Sequence, residues 1–288
     1  MLRIPAVAIT GWLLVAAATF PTTLTDDGGT RLTIKSRPER IVSLTPANTE
    51  MLFAIGAGDR LVGDTTACDY PPAALKIAKI GGFIPNYERV VSLKPDLVVT
   101  DDIALRAAGP RLRALGEPVL GTRPTTIEAI EADLRLLGQA TGCERGATAA
   151  VSHMESEMRA ADAIVRADPR RPRVLAVIGI DPLWVAGRGT FIDDAIRRAG
   201  AVNSTSGVTG FVEYSEETVL TTPPDAIIAS KADQRTLLTL PSLQAVPAIR
   251  NRRLVTLDPG LMERPGPRLA EGVLQLAQAL HAVHNPGR

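Results

Sequence analysis

The sequence predicts an α/β fold of two similar lobes joined by one long helix. Three observations carry that expectation. From about Thr30, short β-rich runs alternate with helical segments, the rhythm of βαβ units around a largely parallel sheet. Residues 144–167 break this rhythm, because they lack proline and their single glycine, Gly146, lies at the start. The second half then repeats the first. Glu88 precedes Pro95 by seven residues and Asp96 by eight, and Glu217 stands at the same distances from Pro224 and Asp225. Three apolar residues follow each Asp, so each unit reads as a short helix, a turn and a buried strand.

In the first half, the run from Ile41 to Leu44 reads as a strand entering a loop. Residues 46–55 then have helical spacing and stop at Gly56. Strands are expected at 61–63, at 97–100 after Lys94-Pro95-Asp96, and at 118–120 after a helical stretch over 106–115. In 144–167, Val151, Met154, Met158, Ala161 and Val165 fall at three- and four-residue spacings. They predict one helix about 36 Å long at 1.5 Å per residue. Asp168-Pro169 ends it, and a strand over 173–178 follows Pro172. An arginine opens the first strand of each half, at Arg40 and at Arg173. The lobes are expected at 38–143 and 172–288, with 144–168 between them. A stiff bridge of this kind allows only modest closure.

Residues 1–20 carry one basic residue, Arg3, then an apolar run ending in Ala16-Ala17-Ala18. This is the pattern of a cleaved secretory signal, too short for a comfortable membrane span. No cysteine lies near the expected cleavage site, so a periplasmic or secreted protein without a lipid anchor is expected. Cys68 and Cys143 are the only cysteines, and the sequence leaves open whether they pair.

Across 288 residues, 32 Lys+Arg against 31 Asp+Glu remove the electrostatic motive for binding nucleic acid or an anionic membrane. With 45% of residues apolar, the chain has ample material for a core. Enzyme signatures are missing. The three histidines, His153, His281 and His284, make no metal-ligand spacing, and no CxxC, GxSxG or GxxxxGK[ST] occurs. Gly187-Arg188-Gly189 lacks the third glycine of a dinucleotide loop. The adjacent carboxylates Asp26-Asp27, Asp101-Asp102 and Asp193-Asp194 read as solvated loop residues or helix caps. No catalytic residue, metal or cofactor is expected.

Several ordered blocks carry a family resemblance. They are the stretch from Arg40 to Glu50, Asp69-Tyr70-Pro71-Pro72, Glu88-Arg89 with the run from Leu93 to Leu97, Trp184 to Thr190, and Glu263-Arg264 with Pro267-Arg268. From about residue 38 to 282 the chain resembles the periplasmic substrate-binding proteins of ABC importers for iron chelates and vitamin B12, and most of all the cobalamin-binding proteins. The resemblance implies two Rossmann-like lobes with a ligand cleft between them. It implies a monomeric solute receptor that captures a corrinoid and delivers it to a membrane permease and its ATPase. Haem or a ferric siderophore is the alternative ligand. A rival reading is an extracytoplasmic enzyme or sensor that reuses the fold.

The resemblance also assigns residues. Glu88 and Glu217, already paired by the internal repeat, match the lobe-tip carboxylates that meet permease arginines. Phe83, Trp184 and Phe211 match positions where cobalamin binders place aromatic rings, and Arg264 matches a basic position. Tyr70 matches the loop from which some haem-binding relatives draw an iron ligand. Arg264 or Arg188 would pair with an anionic chelate. The chain departs from the pattern at Ala67 and Asp101, where aromatics are expected, and at Gly260, where a carboxylate is expected.

Overall fold

The structure is a computed structural model that describes residues 19–256 and 260–281. The expected signal segment lies almost wholly outside the described residues, as do Trp12 and His284. Strands β1 (Thr22–Thr25) and β2 (Arg31–Ile34) form a hairpin ahead of residue 38. The sequence pattern leaves this hairpin unassigned, yet Leu24 and Ile34 enter the main core.

The first lobe is a parallel sheet in the order β4-β3-β5-β6. Its strands are β3 (Ile41–Ser43), β4 (Leu61–Gly63), β5 (Leu97–Asp101) and β6 (Val119–Thr122). Helices α1 (Pro46–Ala54), α2 (Tyr87–Ser92), α3 (Asp102–Ala114) and α4 (Ile127–Thr141) intervene. Every strand residue is buried except Asp101 at the end of β5 and Val62 in the middle of β4, which is why these runs are largely apolar rather than alternating.

Helix α5 (Glu144–Ala167) spans the expected residues, with Val151, Met154, Met158 and Ala161 on its buried stripe. Gly146 lets it start hard against α1. A Cβ there would stand 2.0 Å from the Ile55 carbonyl oxygen.

The second lobe is largely parallel, as expected, with an antiparallel addition. Strands β7 (Arg173–Ile180), β9 (Val202–Asn203), β11 (Ala226–Ile228) and β12 (Leu254–Val255) are parallel. A hairpin turning at Asp181-Pro182 adds β8 (Leu183–Ala186) antiparallel to β7, and β10 (Phe211–Glu213) pairs antiparallel with β8. Helices α6 (Phe191–Arg198), α7 (Glu216–Thr221), α8 (Lys231–Leu237), α9 (Pro247–Arg250) and α10 (Leu269–His281) complete it. One apolar cluster runs without a break from Ile41 and Leu134 through Met154 to Val174 and Leu276, so α5 joins the lobes through a common interior.

One sequence expectation needs correction, and one question the sequence left open is answered. Asp26, Asp193 and Asp194 are buried rather than solvated, because each carboxylate bonds to a neighbouring segment. Asp26 accepts from the Thr30 and Gly121 N–H groups, Asp193 from the Asn203 amide, and Asp194 from the Ile127 N–H across the lobes. Asp101 does cap α3, accepting from the Ala104 N–H. The cysteines are free and keep separate company. Cys68 Sγ lies 3.2 Å from Thr49 Oγ1, and Cys143 Sγ lies 2.9 Å from an Arg60 guanidinium nitrogen.

Candidate ligand-binding cleft

In open α/β sheets, ligands lie outside the carboxyl ends of the parallel strands. In the first lobe those ends rest on a buried polar lattice. Thr49 Oγ1 donates to Ser43 Oγ at 2.9 Å, Asn48 Nδ2 to Thr45 Oγ1 at 3.1 Å, and Thr122 Oγ1 to Asn48 Oδ1 at 3.0 Å. Satisfied buried networks rigidify their surroundings, so this floor holds its shape.

The facing wall of the second lobe is concave. A cavity of about 410 Å³ opens at the carboxyl ends of β7 and β11. Ile178, Phe191, Phe211, Ile228 and Met262 give it an apolar lining, with Asp233 and Glu263 among its polar groups. Phe191 meets Phe211 edge to face, with ring centroids 5.9 Å apart. Strand register puts Phe211 opposite Ala186 and Glu213 opposite Trp184. Trp184 is therefore a diagonal neighbour of Phe211 on the same sheet face, extending the aromatic strip beyond the cavity. It is 39% exposed.

Two ion pairs join the lobes beside this wall. Arg268, just before α10, grips Glu50 of α1 in a fork, Nε to Oε1 at 3.1 Å and Nη2 to Oε2 at 2.9 Å. Gly260 lies against this guanidinium in the left-handed region, at φ +90°, and a Cβ there would crowd Arg268 Nη2 at 2.9 Å. The same guanidinium stacks over the Tyr70 ring, 3.5 Å from its centroid. Arg264 donates to Asp69 Oδ1 at 2.5 Å, which holds the Asp69 carboxyl below its ordinary range. Arg198 pairs with Glu128 and adds a further link between the lobes.

The structure thus brings Phe211, Trp184, Arg264 and Tyr70 to the region between the lobes. Phe83 sits in the exposed loop before α2 and does not line the cavity. Arg188 is exposed and follows β8. Sequence reasoning missed Phe191, Met262, Glu50 and Arg268 as members of the site. Glu50 alone left a signal, a carboxylate beside the apolar Met51-Leu52 of an otherwise uncharged helix.

Glu88 and Glu217 lie far along the chain from each other but occupy the same place in the repeat. Each is exposed, and each is the second residue of a six-residue helix, capped by Asn86 and by Ser215 respectively. Ser215 Oγ also donates to Glu217, holding that carboxyl below its ordinary range. Among the described residues, no group of three or more His, Cys, Asp or Glu could hold a metal ion. No described helix is long and apolar enough to cross a membrane.

Two α/β lobes, one bridging helix and an apolar wall at the strand ends define a two-lobed solute-binding protein. Residues 41–261 match the Periplasmic binding protein family, and the chain belongs to it. It is 30% identical over 270 residues to an uncharacterized ABC transporter substrate-binding lipoprotein, YvrC of Bacillus subtilis, covering 91% of this chain and 86% of that one. It is 31% identical over 280 residues to the cobalamin-binding protein of Halobacterium salinarum, covering 92% and 75%. The periplasmic heme-binding protein RhuT of Roseiflexus sp. RS-1 shares the fold with a TM-score of 0.76 and 31% identity, over 85% of this chain and 98% of that one.

Proposed function

We propose that the chain is the solute receptor of an ABC importer and that its ligand is a corrinoid. The receptor is exported by way of residues 1–20, performs no chemistry, and works as a monomer with lobes at 38–143 and 172–288. The observation that carries the ligand choice is the charge pattern of the cleft. Arg264 and Arg268 are already held by Asp69 and Glu50, while Asp233 and Glu263 face the apolar cavity. A corrin ring offers an apolar body with amide donors at its edge, which suits carboxylate acceptors beside Phe191 and Phe211. Haem carries anionic propionates, which this wall repels.

Trp184 reports on the site, because the only other tryptophan, Trp12, lies in the signal segment. Titration of mature protein with cyanocobalamin, corrected for absorption by the ligand, should quench its emission saturably at or below micromolar ligand. Unchanged emission, with saturable quenching by haemin or a ferric siderophore instead, overturns the corrinoid reading.

A haem reading is favoured by one observation. Tyr70 is 38% exposed, and its hydroxyl has no protein partner among the described residues. Absorption spectra of the haemin-loaded protein and a Tyr70→Phe variant test it. Delivery uses Glu88 and Glu217, exposed carboxylates that steer and orient docking on cations of the permease.

A further inference from the structure

The second lobe carries another concavity, at the opposite end of its sheet. A groove of about 770 Å³ opens where β7, β11 and β12 begin, far from the strand ends that face the cleft. Arg170 and Arg171 line it together with Arg252 and Arg253, two pairs contributed by segments about eighty residues apart. The one carboxylate among the lining residues, Asp225, is engaged with the Arg173 N–H at 2.7 Å. Arg170 is held by the Asp168 carboxylate through Nε and Nη2, and Arg171 Nη1 donates to the Asp168 and Arg170 carbonyls, whereas Arg252 and Arg253 have no carboxylate partner among the described residues. The whole chain has a net charge of only +1, so four arginines around one groove concentrate positive charge locally.

Two features make the groove a site. Its floor is apolar, formed by Ala226, Leu254, Val255 and Leu280, and a less polarisable floor strengthens attraction at the rim. Arg252 adopts φ +52°, a region where Gly or Asn costs less, and this turn sets it beside Arg253. Strand β12, which borders the groove, is the edge of its sheet and pairs only with β11.

We propose that this groove binds a multivalent oxyanion of the pyrophosphate type, independently of the cleft. Guanidinium forks match the oxygens of phosphate groups, and two arginine pairs from separate segments around one groove suit a ligand with at least two anionic groups. Like charges held around one groove repel each other, and a bound polyanion relieves that repulsion.

The test is calorimetric titration of the full mature chain with pyrophosphate at low salt. Saturable binding is expected, weakened at least about tenfold in Arg252→Ser/Arg253→Ser. The charge-matched control Arg31→Ser/Arg145→Ser should bind as wild type does, and circular dichroism verifies that both variants fold. Co-sedimentation with phosphatidylcholine vesicles carrying phosphatidic acid separates the two sources of the anion. Pyrophosphate binding alone assigns a free oxyanion, and vesicle binding lost in the same variant assigns a lipid headgroup. Absence of both, an equal loss in the control, or displacement of pyrophosphate by the cleft ligand overturns the proposal.

Discussion

Asp96 and Arg40 are tied to each other twice. The Asp96 carboxylate accepts the Arg40 N–H at 2.9 Å, and the Asp96 N–H returns to the Arg40 carbonyl at 2.9 Å. Asp225 and Arg173 repeat the arrangement in the second lobe, at 2.7 and 2.8 Å. Each Pro-Asp turn thereby clips the strand it begins to the strand that opens its lobe.

Removing either clip should weaken its lobe. Asp96→Ala releases the Glu39 and Arg40 N–H groups, which are exposed and can turn to water. A loss of about 1 kcal/mol is expected for Asp96→Ala and for Asp225→Ala, with an unchanged m-value in urea. No change in either midpoint would mean the clips are incidental.

Glu50 and Arg268 predict a larger effect. Glu50 is buried, so Arg268→Ala leaves its charge uncompensated, with only the long Arg268 backbone N–H contact remaining, at a cost of about 3 kcal/mol. Replacing both, as Glu50→Leu/Arg268→Met, should cost much less than the two single changes together. A double-mutant cycle in denaturant measures this coupling, and strict additivity would remove the pair from the account of how the lobes are joined.

Stability should fall as the solution becomes more alkaline, because of Asp133. This α4 carboxyl is almost fully enclosed and its pKa is pushed up to about 9, first by burial and then by Asp27 beside it. The folded chain therefore keeps a proton that the unfolded chain releases near pH 4. Linkage then lowers stability as pH rises from about 4 to about 9, and below that window the effect vanishes. Asp133→Asn keeps the shape without the charge. It should flatten the slope and raise stability at pH 8 by at least about 1 kcal/mol. A parallel slope in wild type and variant would contradict the assignment.

Ligand capture and delivery should separate by mutation. Phe211→Ala removes a ring from the cavity and should weaken cyanocobalamin binding about tenfold, read by Trp184 emission. Glu88→Arg/Glu217→Arg should leave that affinity unchanged while abolishing uptake by whole cells. A change in affinity would place these two residues in the site instead of at the lobe tips.

Much of this architecture was legible in the chain. The spacing from Val151 to Ala161 marked α5, and the repeated Glu–Pro–Asp frame anticipated the paired helices, turns and strands but not the clips. What escaped depends on partners remote in sequence. Arg268 meets Glu50 across 218 residues, and Asp194 meets Ile127 across 67, so no local pattern could reveal them. The antiparallel β8–β10 addition escaped because strands of four and three residues carry too few positions for a period. Phe191 begins α6 and meets Phe211 of β10 only through the tertiary fold, a contact that no local pattern marks.

The shared interior running through α5 has a consequence for how the molecule melts. Each lobe keeps a smaller apolar cluster of its own, but the largest belongs to both, so severing the chain near residue 143 would strip each half of surface it needs to fold. The receptor should therefore denature in one cooperative step. A ligand held in the cleft would raise the melting temperature of the entire chain, which turns calorimetry of the intact protein into a direct screen for its cargo.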